Sequence, residues 1–377
     1  MSRRSFASFV AAAAVLLGAC ASPSNPSADE GPAGMSRSAT ESPSSEPGAP
    51  RVTGTVASGL DTPWGIAFLP DGSALFTERN TGRILEITDG TTREVGRIDD
   101  TRVQGESGLL GIAVSPAFDT DRLVYLYVTT EHDNRILRAT FDGAAIARPE
   151  VILDGIPAGR IHDGGRMLFG PDGMLYVATG EAGERELAQD PDSLGGKILR
   201  IDGEGEPAPG NPDPDSPVFS LGHRNVQGLA FDDRGRLWAS EFGQNDVDEL
   251  NLVTPGTNYG WPEVEGAGGP DEFVDPVLTW PVSEASPSGL AWFEGSLWMA
   301  GLRGERLWRI DIDDSNIDGT DGEAIAATAT DFLVGEYGRL RTVVAAPDGS
   351  LWLTTSNRDG RGSPADDDDR ILRTEIA

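Results

Sequence analysis

Apolar and polar positions alternate along this chain in short runs with a period of two, and the runs come in pairs around a tight turn. In Ile66-Ala67-Phe68-Leu69-Pro70-Asp71-Gly72-Ser73-Ala74-Leu75-Phe76 an apolar strand enters a Pro-Asp-Gly turn and a second apolar strand leaves it. The unit recurs at Met167–Tyr176, Leu229–Trp238, Leu290–Trp298 and Val344–Trp352, and a degenerate copy at Ile112–Phe118 resumes at Leu123–Tyr125. Proline presets φ, aspartate hydrogen-bonds its own backbone, and glycine takes the positive φ that closes the hairpin. The turns return roughly every 50 to 60 residues, the length of a four-stranded blade with its loops. No stretch carries a sustained helical period. The pattern predicts an all-β chain folded as a six-bladed β-propeller of four-stranded blades. A pair of β-sandwiches has no need of one cassette repeated six times.

The first fifty residues break the pattern. Ser2-Arg3-Arg4 precedes an apolar stretch from Phe6 to Leu17 that is too short to span a bilayer as a mature helix. The stretch ends in Leu17-Gly18-Ala19-Cys20, and Cys20 is the only cysteine in the chain. Small residues before a lone cysteine predict a lipoprotein signal over 1–19 with Cys20 diacylated as the mature N-terminus. The paired arginines also match the front of a twin-arginine signal, which leaves the export route open. Residues 20–50 are rich in Ser, Pro, Ala, Gly and Glu, and residues 21–50 lack aromatic residues, Ile, Leu and Val. Such a segment buries too little apolar area to offset its ordering entropy, so a flexible tether is expected, with the folded domain over 51–377. The protein is thus expected to be exported and held at a membrane, at the cell surface or in the periplasm, by its lipid alone.

Composition narrows the partners. The formal charge of −31 over 377 residues argues against nucleic acid and against a broad anionic-membrane surface, both of which call for excess Lys and Arg. An anionic ligand has to be met by arginines gathered locally against that field. With no cysteine after Cys20, no disulfide supports the domain, and its core must suffice.

Candidate chemistry lies where the cassette is interrupted. Of three histidines, His162 sits in Arg160-Ile161-His162-Asp163-Gly164-Gly165-Arg166 and His223 in Gly222-His223-Arg224-Asn225-Val226-Gln227-Gly228, each just ahead of a cassette strand. Histidine is suited to take a proton near neutral pH, though taken alone each of the two reads more readily as a hydrogen-bonded structural residue. His132 reads as an exposed loop residue. The histidines and Cys20 form no zinc spacing, and the chain lacks a nucleophile elbow, a phosphate loop and a dinucleotide fingerprint. The stretch from Ser240 to Glu249 joins carboxylates to a glycine loop, a composition that suits a hard cation or a solvated loop. The run Asp366-Asp367-Asp368-Asp369 reads as a solvated turn.

Six stretches, in order, resemble the soluble quinoprotein glucose/sorbosone dehydrogenases, which include the periplasmic aldose sugar dehydrogenases. They are Leu60-Asp61-Thr62-Pro63-Trp64-Gly65-Ile66-Ala67-Phe68, Glu106-Ser107-Gly108-Leu109-Leu110-Gly111, His162-Asp163-Gly164-Gly165-Arg166, Gly195-Gly196-Lys197-Ile198-Leu199-Arg200, Gly222 to Gly228, and Asn258-Tyr259-Gly260-Trp261-Pro262. The resemblance covers residues 52 to 375 and implies a six-bladed propeller that oxidises aldose sugars to lactones with pyrroloquinoline quinone (PQQ) and Ca2+. It implies that His162 is the general base, that Arg224 stabilises charge on the reduced cofactor with Asn225 beside it, and that Arg303, Arg339 and Arg341 hold the cofactor carboxylates. Arginine suits that task because its planar fork binds a carboxylate at two points. Trp280 is implied as an aromatic wall. Backbone carbonyls of Gly243 and Gln244 match a calcium site against the quinone, and Asp248, Glu249 and Tyr259 match a second, structural calcium site. Glu106 and Glu181 stand where the glucose enzymes meet the sugar with an amide and an aspartate, Gln244 replaces a usual proline, and Arg303 replaces a lysine. Electrons are expected to leave to an extracytoplasmic acceptor. Two other classes remain in view: a non-enzymatic extracellular propeller that binds a partner, and a divalent-metal lactonase-type propeller.

Overall fold

The computed structural model describes residues 48–313 and 325–376. The expected signal segment 1–19, the lipidation site Cys20 and the tether as far as residue 47 lie outside the described residues. Strands are laid down in chain order and form six antiparallel four-stranded sheets. The first blade runs from Pro63–Phe68 outward to Thr91–Arg97, and the second from Leu109–Val114 to Ile146–Ile156. The third spans Met167–Phe169 to Val218–Leu221, the fourth Val226–Phe231 to Leu278–Pro281, and the fifth Pro287–Phe293 to Ala326–Phe332. The sixth is built from both chain ends: Leu340–Ala345, Leu351–Thr355 and Ile371–Ile376 are completed by Pro50–Ala57 as the outermost strand. Pairing the first strand with the last holds the two chain ends in one sheet and closes the ring.

The turn chemistry acts as the cassette requires. In the first blade Asp71 Oδ1 accepts the Ser73 N–H at 3.0 Å and Gly72 has φ 87°, while Leu69 and Ser73 close the hairpin with a 2.8 Å bond. Asp348 repeats this with Ser350 in the sixth blade. Where the second blade lacks the motif, a four-residue helix, Phe118–Asp121, takes its place. The core lies between blades. Leu75 and Ile84 of the first blade pack with Leu126 and Phe141 of the second, and Trp298 of the fifth with Leu351 and Leu372 of the sixth. Near the innermost strands Arg166 is buried over the Trp64 ring, 4.3 Å to its centroid, and donates to the Gln227 carbonyl and to Thr342 Oγ1.

Because strands alternate in direction, the Pro-Asp-Gly turns share one end of the propeller, and the connections between blades share the other with the loop between each blade's second and third strands. One such loop corrects an expectation. The aspartate run is only half solvated, since Asp368 and Asp369 are buried. Asp369 Oδ1 accepts the Asn357 N–H at 2.6 Å, and Asp368 Oδ2 accepts from Asn357 Nδ2 at 3.0 Å and the Ala365 N–H at 2.9 Å. The pair ties down the sixth blade's long loop, residues 356–370, which reaches over the mouth. Composition alone does not separate a solvated acidic turn from one whose carboxylates cap backbone amides.

Candidate active site

At that mouth lies a cavity of about 400 Å³, within the size range of small-molecule sites. Five arginines line it, Arg79, Arg303, Arg339, Arg341 and Arg361, against two carboxylates, Glu106 and Asp359, with Phe242 and Leu302 as the larger apolar surfaces. The connection into the sixth blade brings Arg339, that blade's innermost strand brings Arg341, and its long loop brings Asp359 and Arg361. Arg339 donates through Nε and Nη2 to Asp359 Oδ2 at 3.0 and 2.9 Å, and Arg341 Nη2 reaches the same oxygen at 3.4 Å. These guanidiniums hold the Asp359 carboxyl below its usual range against its burial. Burial and the neighbouring Arg79 pull the Arg341 pKa down. The site therefore carries more positive charge than its own acids balance, in a chain that is acidic overall.

His162 stands beside the cavity in a left-handed conformation, φ 60°, that a non-glycine residue adopts only under constraint. Its N–H donates to Glu106 Oε2 at 3.0 Å and its carbonyl accepts the Ala182 N–H at 3.0 Å. Gly164 and Gly165 follow because a Cβ there would lie 2.5 Å from the Thr179 backbone and 2.7 Å from the Leu110 side chain. The imidazole Nδ1 is 2.8 and 2.7 Å from the two oxygens of Glu181, whose Oε2 also accepts the Gly183 N–H at 2.9 Å. A carboxylate on Nδ1 assigns the proton to that nitrogen and leaves the Nε2 lone pair free to accept another. Among the described residues nothing bonds to Nε2, and it is not sealed off.

Next to His162, Asp163 is buried, with Oδ1 accepting from the Gly159 N–H and Asn134 Nδ2 and with Oδ2 unpartnered. Burial pushes its carboxyl up from 3.8 to about 7. Between those values the folded protein holds a proton that the unfolded chain has released, so this contribution to stability is full on the acid side and is lost as pH rises through about 7. Thermal unfolding of the protein without added ligands is expected to shift to lower temperature from pH 5 to pH 8, and Asp163→Asn is expected to lessen that fall. Parallel curves for the two proteins would refute the assignment.

Arg224 is partly buried on the connection into the fourth blade. Its Nη1 donates to the carbonyls of Phe242 and Gly243 at 3.2 and 2.6 Å, its carbon Cζ lies 5.3 Å from the Trp261 ring centroid, and its Nε is buried without a partner. Asn225 is buried and accepts the Gly164 N–H at 3.1 Å, which fastens the His162 loop to this connection. Below Arg224, Glu241 and Glu249 face one another closely enough that burial, with Glu241's charge, pushes the Glu249 carboxyl up to about 8. Asn251 Nδ2 bonds to both acids, while its Oδ1 is buried with no donor.

The glucose/sorbosone dehydrogenase family model matches residues 60–372. The chain belongs to that family. The PQQ-bound aldose sugar dehydrogenase of Streptomyces coelicolor is 54% identical, covers 87% of this chain and 98% of its own, and superposes with a TM-score of 0.82. An uncharacterized Synechocystis protein is 34% identical over 81% of this chain and 84% of its own. The aldose sugar dehydrogenase YliI of Escherichia coli is 27% identical over 80% of this chain and 89% of its own.

The structure of this glucose/sorbosone dehydrogenase family member gathers most of the expected residues and sets some apart. Arg339, Arg341, Arg303 and Glu106 line the cavity. Glu181 does not line it: it is buried behind His162, and its carboxylate is spent on the imidazole and on Gly183. Glu106 lines the cavity, yet its oxygens serve the His162 N–H and Arg361, at 3.0 and 2.9 Å. Trp280 is no wall of the cavity. It packs between the fourth and fifth blades against Trp308, 5.8 Å between ring centroids, because its position on the fourth blade's outer strand faces the neighbouring blade. Asp248 is withdrawn from the expected metal set, since its two oxygens accept N–H groups of Gly243 and Ser286 at 3.0 and 2.6 Å. Tyr259 stacks on His223, which is buried between Ser220 and Glu241 in a structural role. His132 is exposed, as expected. Arg79, Asp359 and Arg361 went unnoticed in the sequence. The signal that finds them is position, since each follows the second strand of its blade, where loops turn to the mouth.

Proposed function

We propose that this protein is a PQQ-dependent sugar dehydrogenase that oxidises aldoses at the anomeric carbon to lactones. One observation carries the reading: a histidine with Nδ1 held by a buried glutamate and Nε2 open stands beside a cavity lined by five arginines. PQQ is a planar tricarboxylate, and the residues present fit it. The guanidiniums outnumber the local acids, and Arg224 adds a further one at the cavity's edge, bonded to the carbonyl of Phe242, which lines it. Arg339 and Arg341 would hold carboxylates, with Arg303 at the rim. Bound PQQ supplies a two-electron acceptor for the hydride leaving the sugar C1. His162 Nε2 takes the proton of the anomeric hydroxyl as that C–H bond breaks, and Glu181 stabilises the imidazolium that forms. Arg224 places positive charge where negative charge develops.

Calcium fits the same reading in part. Among the described residues no three His, Cys, Asp or Glu side chains converge as a metal site, so backbone and amide oxygens have to contribute. The carbonyls of Phe242 and Gly243 already converge on one cationic nitrogen, and Glu241, Glu249 and the orphan Oδ1 of Asn251 form a buried acceptor set. Gly243 and Gln244 are the candidates near the cofactor, and Glu249 with Tyr259 for a second ion. Export, the lipid on Cys20 and delivery of electrons to an extracytoplasmic acceptor belong to this proposal on the strength of the N-terminal sequence.

The test is a titration of the purified protein with PQQ in the presence of calcium, followed by dye reduction across a panel of aldoses. Saturable binding and aldose-dependent turnover are expected. A holoprotein that turns over no aldose or aldehyde would sink the dehydrogenase reading.

A further inference from the structure

Five consecutive backbone N–H groups, from Gly243 to Val247, are claimed by two carboxylates. Asp248 Oδ1 takes that of Gly243 at 3.0 Å. A single oxygen of Glu265, Oε1, takes those of Gln244, Asn245, Asp246 and Val247 at 2.6, 3.0, 3.0 and 3.3 Å. Successive amides that converge in this way form an anion-binding concavity, and here its anion comes from a separate loop of the same chain. The fit is close: a Cβ on Gly243 would lie 2.6 Å from Glu265 Oε1 and 1.8 Å from the Val247 carbonyl.

The head of the same loop does a second job. The carbonyls of Phe242 and Gly243 are the hydrogen-bond partners of the Arg224 guanidinium, and no carboxylate pairs with it among the described residues. With Nε unpartnered as well, the direction of this guanidinium depends on where those two carbonyls point. The Gly243 carbonyl, the nearer of the two, shares its peptide unit with the Gln244 amide that Glu265 holds, while the Phe242 carbonyl shares its own with the Gly243 amide held by Asp248.

We propose that Glu265 is a positioning residue for Arg224, acting through the backbone of residues 242–247. The inference rests on the reading of Arg224 as a PQQ-contacting residue. Glu265→Ala leaves four amides without their acceptor and frees the loop, so the guanidinium loses its fixed partner. Glu265→Gln keeps an acceptor oxygen without the charge.

Fluorescence titration with PQQ at saturating calcium is expected to show about a tenfold loss of affinity for Glu265→Ala and about a threefold loss for Glu265→Gln, the scale of charge-assisted hydrogen bonds. In an Arg224→Ala background, Glu265→Ala is expected to change affinity by less than about twofold, since the two residues act as one unit. A Glu265→Ala protein that binds within about twofold of wild type, or that loses the same factor with and without the Arg224 side chain, overturns the proposal. A second measurement needs no cofactor. Exchange protection of the Arg224 side-chain N–H signals in the ligand-free protein is expected to fall in Glu265→Ala, and retained protection overturns the clamp. If wild type fails to bind PQQ, the cofactor reading falls, while the exchange measurement still decides whether Glu265 sets Arg224.

Discussion

His162→Ala is expected to lower the turnover number with aldoses about a thousandfold while leaving PQQ affinity within about twofold. The asymmetry follows from where the side chain stands. His162 makes none of the cavity's arginine contacts, so its loss leaves the anion site intact, yet it removes the open Nε2 that would accept the hydroxyl proton. Glu181→Gln is the companion test. The amide can still accept from Nδ1–H, so the ring keeps its place, but the charge that favours the imidazolium is gone, and a loss of about ten- to a hundredfold in turnover is expected. Steady-state dye reduction alongside PQQ titration separates the two quantities. Equal losses in turnover and cofactor affinity for His162→Ala would mean that the histidine builds the pocket rather than performing the chemistry.

The arginines predict the opposite division. Arg341→Met is expected to weaken PQQ binding about a hundredfold, the scale of losing a bidentate charge-assisted contact in a buried site. Arg341 is buried among Arg79, Arg339 and the carboxylates of Asp359 and, farther off, Glu106, and it shares its other donors with Ser356 and Gln227. Without a ligand its charge is under-compensated, so the methionine variant is expected to keep the unfolding temperature of the ligand-free protein within a few degrees. What disappears is the rise in that temperature when PQQ is added, because binding to the folded state alone is what stabilises it. Thermal scans with and without PQQ check both halves. A variant that unfolds early without PQQ, yet gains the wild-type increment with it, contradicts this assignment.

The architecture was legible because it depends on local chemistry repeated along the chain. Each Pro-Asp-Gly turn states its hairpin within a few residues, and the apolar alternation on either side gives the strands. Even the irregular second blade was visible as a gap after Ser115. The site was legible only in part. His162 and Arg224 stand in distinctive motifs, Arg339 and Arg341 came only with the family resemblance, and the structure brings all four to one end of the ring. What the residues do to one another was hidden, since contact across blades has no trace in sequence separation. Glu181 lies 19 residues from His162 and Glu106 lies 56 away, yet one grips its ring and the other its backbone. Trp280 misled for a related reason: a large aromatic on an outer strand suits a pocket wall and an inter-blade core equally well until the neighbouring blade is in place. Asp368 and Asp369 show the same limit for charge, because a run of acids carries no sign of the amides it will meet.

The way the sixth blade is assembled has a consequence for biosynthesis. Its outermost strand, Pro50–Ala57, is the first strand of the propeller to be made, and its partner, Ile371–Ile376, is the last. During translation the early strand has nothing to pair with until almost the whole chain has emerged, so it stays unpaired and the ring stays open for that entire interval. The entropy of joining ends so far apart grows only slowly with the length between them, so the finished ring closes at little extra thermodynamic cost. Kinetically the delay is a liability, because exposed edges invite pairing with other chains. A ribosome that stops a few residues short of Ile371 releases a chain with five whole blades and no means of shutting the sixth.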